Sequence, residues 1–295
     1  MKHLNITGDE FLVDKLESVI ELYSTDCVFL SGSVIEGSKN KFSKGMGNKK
    51  SDLDVFVIRD DNLFQNTDYT YFNEFKKTNF FKLEKVKLDV EYYKKSFFED
   101  IINKINNSLI DDNIRIDNII KVDCSIEELN SIVNRFFYSM CIKNDELFKL
   151  YYNNLDFKKF SKIYKGKLFN ILDNLTEDLY GNLEENQIIT ALFCAREIFK
   201  IYAKIVIFNF GEFVDRDKWV FLKFFNLVNF YNLDVDKVIF KKLFISDLND
   251  NIKIKTTIVI FRLFFLTAQS YHLDEWRRYH IHSQAIVQYH ETVCL

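Results

Sequence analysis

Proline is missing from this chain of 295 residues, and glycine occurs only eight times. Because Lys, Asn, Ile and Phe are abundant, we attribute both shortages to a biased base composition of the gene rather than to a structural requirement. A large excess of positive charge is missing too. The net charge of −3 argues against a generally basic surface for binding nucleic acids, but it does not exclude local basic patches.

Long apolar runs and paired cysteines are also missing. The stretch 205–211 is short and the stretch 258–266 contains Arg262, so neither is expected to cross a bilayer. The polar first residues do not resemble a signal peptide. The five cysteines are scattered without a CxxC pair, which argues against a disulfide framework or a zinc site and favours a cytoplasmic location.

The residues that are present predict an α+β protein. Hydrophobic residues make up 47% and charged residues 28% of the chain, a balance typical of a globular protein. Strands are predicted at residues 27–30, 52–58 and within 80–93, and a helix at residues 9–23. Beyond residue 122 the spacing of apolar residues predicts helices only, over residues 126–143, 156–179, 183–210, 215–231 and 252–271. We therefore predict two domains, over residues 1–122 and 123–295.

Acidic residues in the first domain carry the strongest chemical signal. Asp52 and Asp54 lie two residues apart on a predicted strand, so their side chains are expected on one face. Two carboxylates on one face repel each other unless a cation lies between them, and Mg²⁺ prefers carboxylate oxygen. With a third acid on a neighbouring strand, the group predicts a two-metal site. Gly32 and Ser33, which end an earlier strand, are predicted to bind a triphosphate.

The identity of the third acid is open at this stage. Asp89 and Glu91 lie two residues apart on the same predicted strand face. Either carboxylate can complete the metal site, and the other can serve as a general base. We prefer Asp89 as the metal ligand and keep Glu91 as a catalytic candidate.

The order Gly32-Ser33, then Asp52-Leu53-Asp54, then Asp89 resembles the polymerase-β-like nucleotidyltransferase superfamily. The resemblance covers roughly residues 27–93. It implies a small mixed-sheet catalytic domain, with two Mg²⁺ ions held by the carboxylates of the three aspartates. The separation of Ser33 and Asp52 is longer than is common in the superfamily. The excess is a lysine-rich segment, residues 36–51, which we predict to be a mobile loop.

The second half of the chain is similar, more diffusely, to the helical domain of aminoglycoside nucleotidyltransferases. The similar residues are Asn134–Tyr138, Cys194–Glu197 and Asp217–Trp219. This resemblance implies that the helical domain closes over the nucleotide and the acceptor, and that Lys218 contacts the triphosphate. A surface position for Lys218 is an equal alternative.

Together these features predict Mg²⁺-dependent transfer of a nucleoside monophosphate from an NTP, preferably ATP, to a hydroxyl group. The preferred acceptor is a small molecule such as an antibiotic or a natural product, and no membrane partner is expected. One alternative is a synthase of cyclic-oligonucleotide second messengers. Another is nucleotidylation of a protein or an RNA end. The C-terminal cluster of His272, His280, His282 and His290 is predicted to be a polar tail.

Overall fold

The computed structural model describes residues 3–6, 9–48, 50–110, 120–247, 249–266 and 272–276. The chain divides into two compact units. One contains the residues up to Ser108 together with Ile120–Phe160, and the helices from Ser161 onward belong to the other. The first unit thus includes elements that follow residue 122. The tail with His280, His282 and His290 lies outside the described residues.

The strands form a two-stranded hairpin and a six-stranded sheet, both in the first unit. The strands are β1 His3–Ile6, β2 Asp9–Leu12, β3 Cys27–Ser31, β4 Leu53–Arg59, β5 Tyr71–Phe72, β6 Lys76–Leu83, β7 Val86–Lys94 and β8 Met140–Lys143. The larger sheet has the order β5-β6-β7-β4-β3-β8. Its β4–β7 pair is parallel and its other pairs are antiparallel, so the sheet is mixed. The predicted α+β class, a mixed sheet followed by helices, is confirmed.

Helices pack against the sheet in the first unit and make up the described part of the second. They are α1 Gly32–Lys39, α2 Asp61–Gln65, α3 Lys95–Asn107, α4 Ile126–Phe137, α5 Asp145–Asn154, α6 Phe157–Glu184, α7 Ile188–Asn209, α8 Asp217–Phe230, α9 Asp234–Phe240 and α10 Asn251–Leu266. A π-turn at Lys241–Ile245 follows α9. None of the helices in the described part of the chain is long and apolar enough to cross a membrane.

Two of the predicted helices are wrong in part. Residues 9–12 form β2 because they pair with β1, and a 3-10 helix over Val13–Ser18 follows. Helix α4 ends at Phe137, and residues 140–143 join the sheet as an edge strand beside β3. In both places strand pairing outweighs the local helical spacing of apolar residues, with the neighbouring β1 for β2 and with the sequence-distant β3 for β8.

The two faces of the large sheet differ in chemistry. One face is aliphatic, with buried side chains such as Val28, Val55 and Val90. The other carries Phe29 and Phe56, whose rings stack with centroids 5.2 Å apart. Because side chains alternate along a strand, Asp54, Asp89 and Glu91 lie on this second, aromatic face.

Candidate functional site

Polar and acidic side chains form a row across neighbouring strands of the aromatic face. Ser31 on β3 pairs with Asp54 on β4. Asp54 pairs with Asp89 on the parallel strand β7, and Asp89 pairs with Phe80 on β6. Directly paired residues project from the same face of a sheet. Two of the acids predicted from the sequence are therefore direct neighbours. We call Ser31, Asp54 and Asp89 the acid row.

Gly32 is shaped by the acid row. It begins α1 with a φ of +77°, a conformation that favours glycine. A Cβ atom at this position would lie 1.8 Å from Oδ2 of Asp54. The Asp54 carboxylate thus occupies the space that any other side chain would need. The glycine at position 32 follows from this contact, and the binding of phosphate by Gly32 and Ser33 stays a prediction.

Asp52 lies just outside the strand that carries Asp54. It is exposed and precedes Leu53, the first residue of β4. Among the described residues, no three or more His, Cys, Asp or Glu side chains are grouped so that they could hold a metal ion. The assignment of Asp52, Asp54 and Asp89 as metal ligands stays a prediction.

Glu91 has a different environment from Asp89. Its side chain is buried, and Oε1 lies 2.9 Å from Nη1 of Arg135 on α4. The hydroxyl of Tyr93 donates a hydrogen bond of 2.5 Å to Oε2. Burial opposes ionisation of Glu91, but the charges of Arg135 and Lys76 and these hydrogen bonds outweigh it, so the pKa lies below its usual value. Glu91 is thus an ionised carboxylate that is already bound by the protein.

Arg135 on α4 contacts both the acid row and the neighbouring residues of the aromatic face. Its guanidinium lies 5.2 Å from the centroid of the Phe56 ring and pairs with Glu91. Its backbone carbonyl accepts a hydrogen bond of 2.5 Å from Oγ of Ser31. Sequence reasoning noted Arg135 only as part of a diffuse resemblance. The contact was not predictable because 44 residues separate Arg135 from Glu91.

The lysine-rich segment is not the mobile loop that we predicted. Phe42 and Met46 are buried, and the buried Ser43 hydroxyl donates a hydrogen bond of 2.6 Å to Oε1 of Glu36. A Cβ atom on Gly47 would lie 3.0 Å from the carbonyl oxygen of Ser33. The segment therefore packs against α1 and against the backbone of the predicted phosphate-binding residue. Buried side chains between the lysines supply the apolar contacts that a charged loop lacks.

Lys218 belongs to the second unit. It is exposed on the first turn of α8, with Nζ 5.1 Å from the ring centroid of Trp219. Its predicted contact with a triphosphate stays a prediction, as does the resemblance of the helical part to aminoglycoside nucleotidyltransferases.

No protein-family model matches the chain, and no curated protein matches it. Among solved structures, the fold is similar to that of a nucleotidyltransferase-like protein from Exiguobacterium sibiricum 255-15. The TM-score is 0.45 and the sequence identity is 12%, over 85% of this chain and 73% of the other.

Proposed function

We propose that this protein transfers a nucleoside monophosphate from an NTP to a hydroxyl group and releases pyrophosphate. One observation carries the proposal. Asp54 and Asp89 stand side by side on two parallel strands, and the Asp54 carboxylate rests on Gly32 at the start of α1. Adjacent carboxylates beside a helix N-terminus suit a reaction that needs both a cation and a bound phosphate.

The acid row fits a magnesium ion in its donor atoms. Asp54 and Asp89 offer hard carboxylate oxygens, and the exposed Asp52 is close in sequence to both β4 and Asp54. When bound, Mg²⁺ would offset the charge of the triphosphate and lower the pKa of the acceptor hydroxyl. We assign Asp54 and Asp89 as its ligands. Asp52 keeps only the ligand role predicted from the sequence, because the described residues contain no group of three such side chains.

The chain's own residues bind and orient the substrates in this proposal. Gly32 allows the triphosphate to approach the backbone, and Ser33 offers it an N–H and a hydroxyl. The acceptor oxygen forms a bond to the α-phosphorus while the bond from this phosphorus to the bridging oxygen breaks. Pyrophosphate leaves, and the hydroxyl proton passes to a carboxylate oxygen, which we assign to Asp89. Glu91 instead holds Arg135, so we give it a positioning role.

Products made from mixed NTPs test this proposal. The purified protein is incubated with all four NTPs and Mg²⁺, with and without a cell extract that contains both small metabolites and RNA, and the products are identified by mass spectrometry. We expect an adduct that carries one nucleoside monophosphate, together with pyrophosphate. Asp54→Asn should abolish both. Adduct formation that persists in Asp54→Asn would place the chemistry elsewhere in the chain.

A further inference from the structure

The β6–β7 hairpin extends beyond the acid row. Strand β4 pairs with β7 only from Leu53 and Leu88 onward, whereas β6 and β7 stay paired through Lys82–Lys87 to Leu83–Val86. The end of the hairpin is thus a two-stranded projection that begins next to Asp89.

One face of this projection carries a distinctive set of exposed side chains. Phe80 pairs directly with Asp89, and Lys82 pairs directly with Lys87. On the edge strand β5, Tyr71 pairs with Thr78, two residues before Phe80. By the alternation of side chains these residues share the face of the acid row. We call this set the hairpin face, which consists of Tyr71, Phe80, Lys82 and Lys87.

The aromatic part of the hairpin face is open to solvent. Phe80 is 53% exposed and Tyr71 is 66% exposed, and their rings meet edge to face with centroids 6.0 Å apart. Exposed aromatic rings of this kind stack on bases, and every base offers a flat face to them. Because the two rings are nearly perpendicular, with an interplanar angle of 80°, each can stack with a separate planar group on the side of Asp89.

The basic part of the hairpin face lies next to these two rings. Lys82 and Lys87 are both exposed and stand directly opposite each other. Like charges in a directly opposed pair destabilise a sheet, and a bound anion removes that cost. Aromatic rings next to lysines suit a ligand that alternates flat bases with phosphates.

In-line geometry places the acceptor hydroxyl at the β6 end of the acid row, beside the hairpin face. The attacking and leaving oxygens lie roughly in line across the α-phosphorus. Gly32 and Ser33 hold the leaving pyrophosphate at the β3 end of the row in the proposed function. The attacking hydroxyl then approaches from the β6 end, where Phe80 lies about 5 Å beyond Asp89, one strand spacing away.

From these observations we propose that the hairpin face binds the 3′ end of a single-stranded RNA as the acceptor. The inference rests on the proposed function and names its acceptor class. Unpaired bases would stack on Tyr71 and Phe80, and the phosphates would contact Lys82 and Lys87. The terminal ribose hydroxyl would then lie beside Asp89. A single strand suits the face because its bases are open to stacking.

Binding of an oligonucleotide tests the hairpin face without metal or NTP. The probe is a fluorescently labelled single-stranded RNA of about ten nucleotides, followed by anisotropy. Tyr71→Ala and Phe80→Ala should each raise the Kd by about 5- to 100-fold. The double variant Lys82→Gln, Lys87→Gln should make the dependence of log K on log salt shallower by about 1.4, or about 0.7 for each lost phosphate contact.

Matched controls come from the same hairpin and its edge. Phe72 is 65% exposed and adjoins Tyr71, but it pairs with Lys77 and so projects from the opposite face. Lys85 is an exposed lysine in the hairpin turn. Phe72→Ala and Lys85→Gln should leave the Kd unchanged. Equal weakening by the controls, or no binding of RNA by the wild-type protein, would overturn the proposal.

Transfer of label separates this proposal from the proposed function. With Mg²⁺ and α-labelled ATP, the RNA should grow by labelled nucleotides, and an RNA that lacks its terminal hydroxyls should not. Asp54→Asn should abolish transfer yet keep RNA binding. Label transfer that survives Asp54→Asn overturns the proposed function alone. Linked dinucleotides formed from NTP alone, dependent on Tyr71 and Phe80 without RNA binding, would overturn RNA as the acceptor.

Discussion

Gly32, which contacts Asp54 of the acid row, is the residue with the clearest physical constraint. Gly32 needs both a positive φ and the space that the Asp54 carboxylate fills, since a Cβ atom would lie 1.8 Å from Oδ2. Gly211 has a φ of +73° with no atom within 4 Å of a built Cβ. Comparing substitutions at the two glycines therefore distinguishes the cost of backbone strain from the cost of a clash with a carboxylate.

Gly32→Ala should lower the free energy of unfolding by more than Gly211→Ala. The control is expected to cost about 1–2 kcal/mol, the price of a left-handed conformation for an L-residue. Gly32→Ala adds displacement of Asp54 and should also abolish the gain in Tm that an NTP with Mg²⁺ gives. Urea unfolding and thermal shift measure the two effects. Equal destabilisation, with the Tm gain intact in both variants, would show that the contact with Asp54 is unimportant.

Asp89→Asn should impair mainly turnover, whereas Glu91→Gln should impair mainly stability. Asp89→Asn should lower turnover by orders of magnitude with the fold intact, because it removes a metal ligand or a proton acceptor. Glu91→Gln should lower the free energy of unfolding by about 3–5 kcal/mol, because it removes the carboxylate charge from the buried ion pair with Arg135. Turnover and urea unfolding of each variant are compared. A fully stable Glu91→Gln that has lost more turnover than Asp89→Asn would make Glu91 the catalytic acid.

The same ion pair predicts a pH dependence. The pKa of Glu91 is lower in the folded protein than in the unfolded chain, so its stabilisation is complete above the unfolded-state pKa of about 4.3. It is lost as the pH falls through the folded-state pKa. The stability of Glu91→Gln should therefore decline less steeply than that of the wild type below about pH 4.3. Parallel acid-unfolding curves would contradict this account.

Among the helices and strands, the sequence predicted those that the spacing of their own apolar residues defines. Strands β3 and β4 and the long helices α6, α7, α8 and α10 lie close to their predicted ranges because their apolar spacing matches their structure. Strands β2 and β8 were missed, since only pairing with β1 and β3 makes them strands. Contacts between strands also depend on pairing. The placement of Asp54 beside Asp89 was therefore expected from the resemblance, and the ion pair of Glu91 with Arg135, 44 residues away, was not predicted.

Helix α1 and the lysine-rich segment after it supply a prediction about packing. A Cβ atom on Gly37 would lie 2.3 Å from the carbonyl oxygen of Met46. A Cβ atom on Gly166 in α6 would have no other atom within 4 Å. Gly37→Ala should push the segment away from α1 and free its backbone, so that trypsin cleaves faster after Lys41 and Lys44, whose side chains are already exposed. Gly166→Ala should instead stabilise its helix by about 0.5–1 kcal/mol. If Gly37→Ala resists trypsin as well as the wild type does, the segment does not depend on this contact.

For the whole molecule, the central claim is that the acid row binds an NTP together with Mg²⁺. Its most direct test is calorimetric titration of a non-hydrolysable ATP analogue with and without Mg²⁺. We expect Mg²⁺-dependent binding in the wild type and in the control Glu74→Gln, which changes an exposed acid away from the row. Asp54→Asn and the double variant Asp52→Asn, Asp54→Asn should weaken binding at least about tenfold, ~1.4 kcal/mol. Binding of equal strength in the wild type and Asp54→Asn would contradict the account.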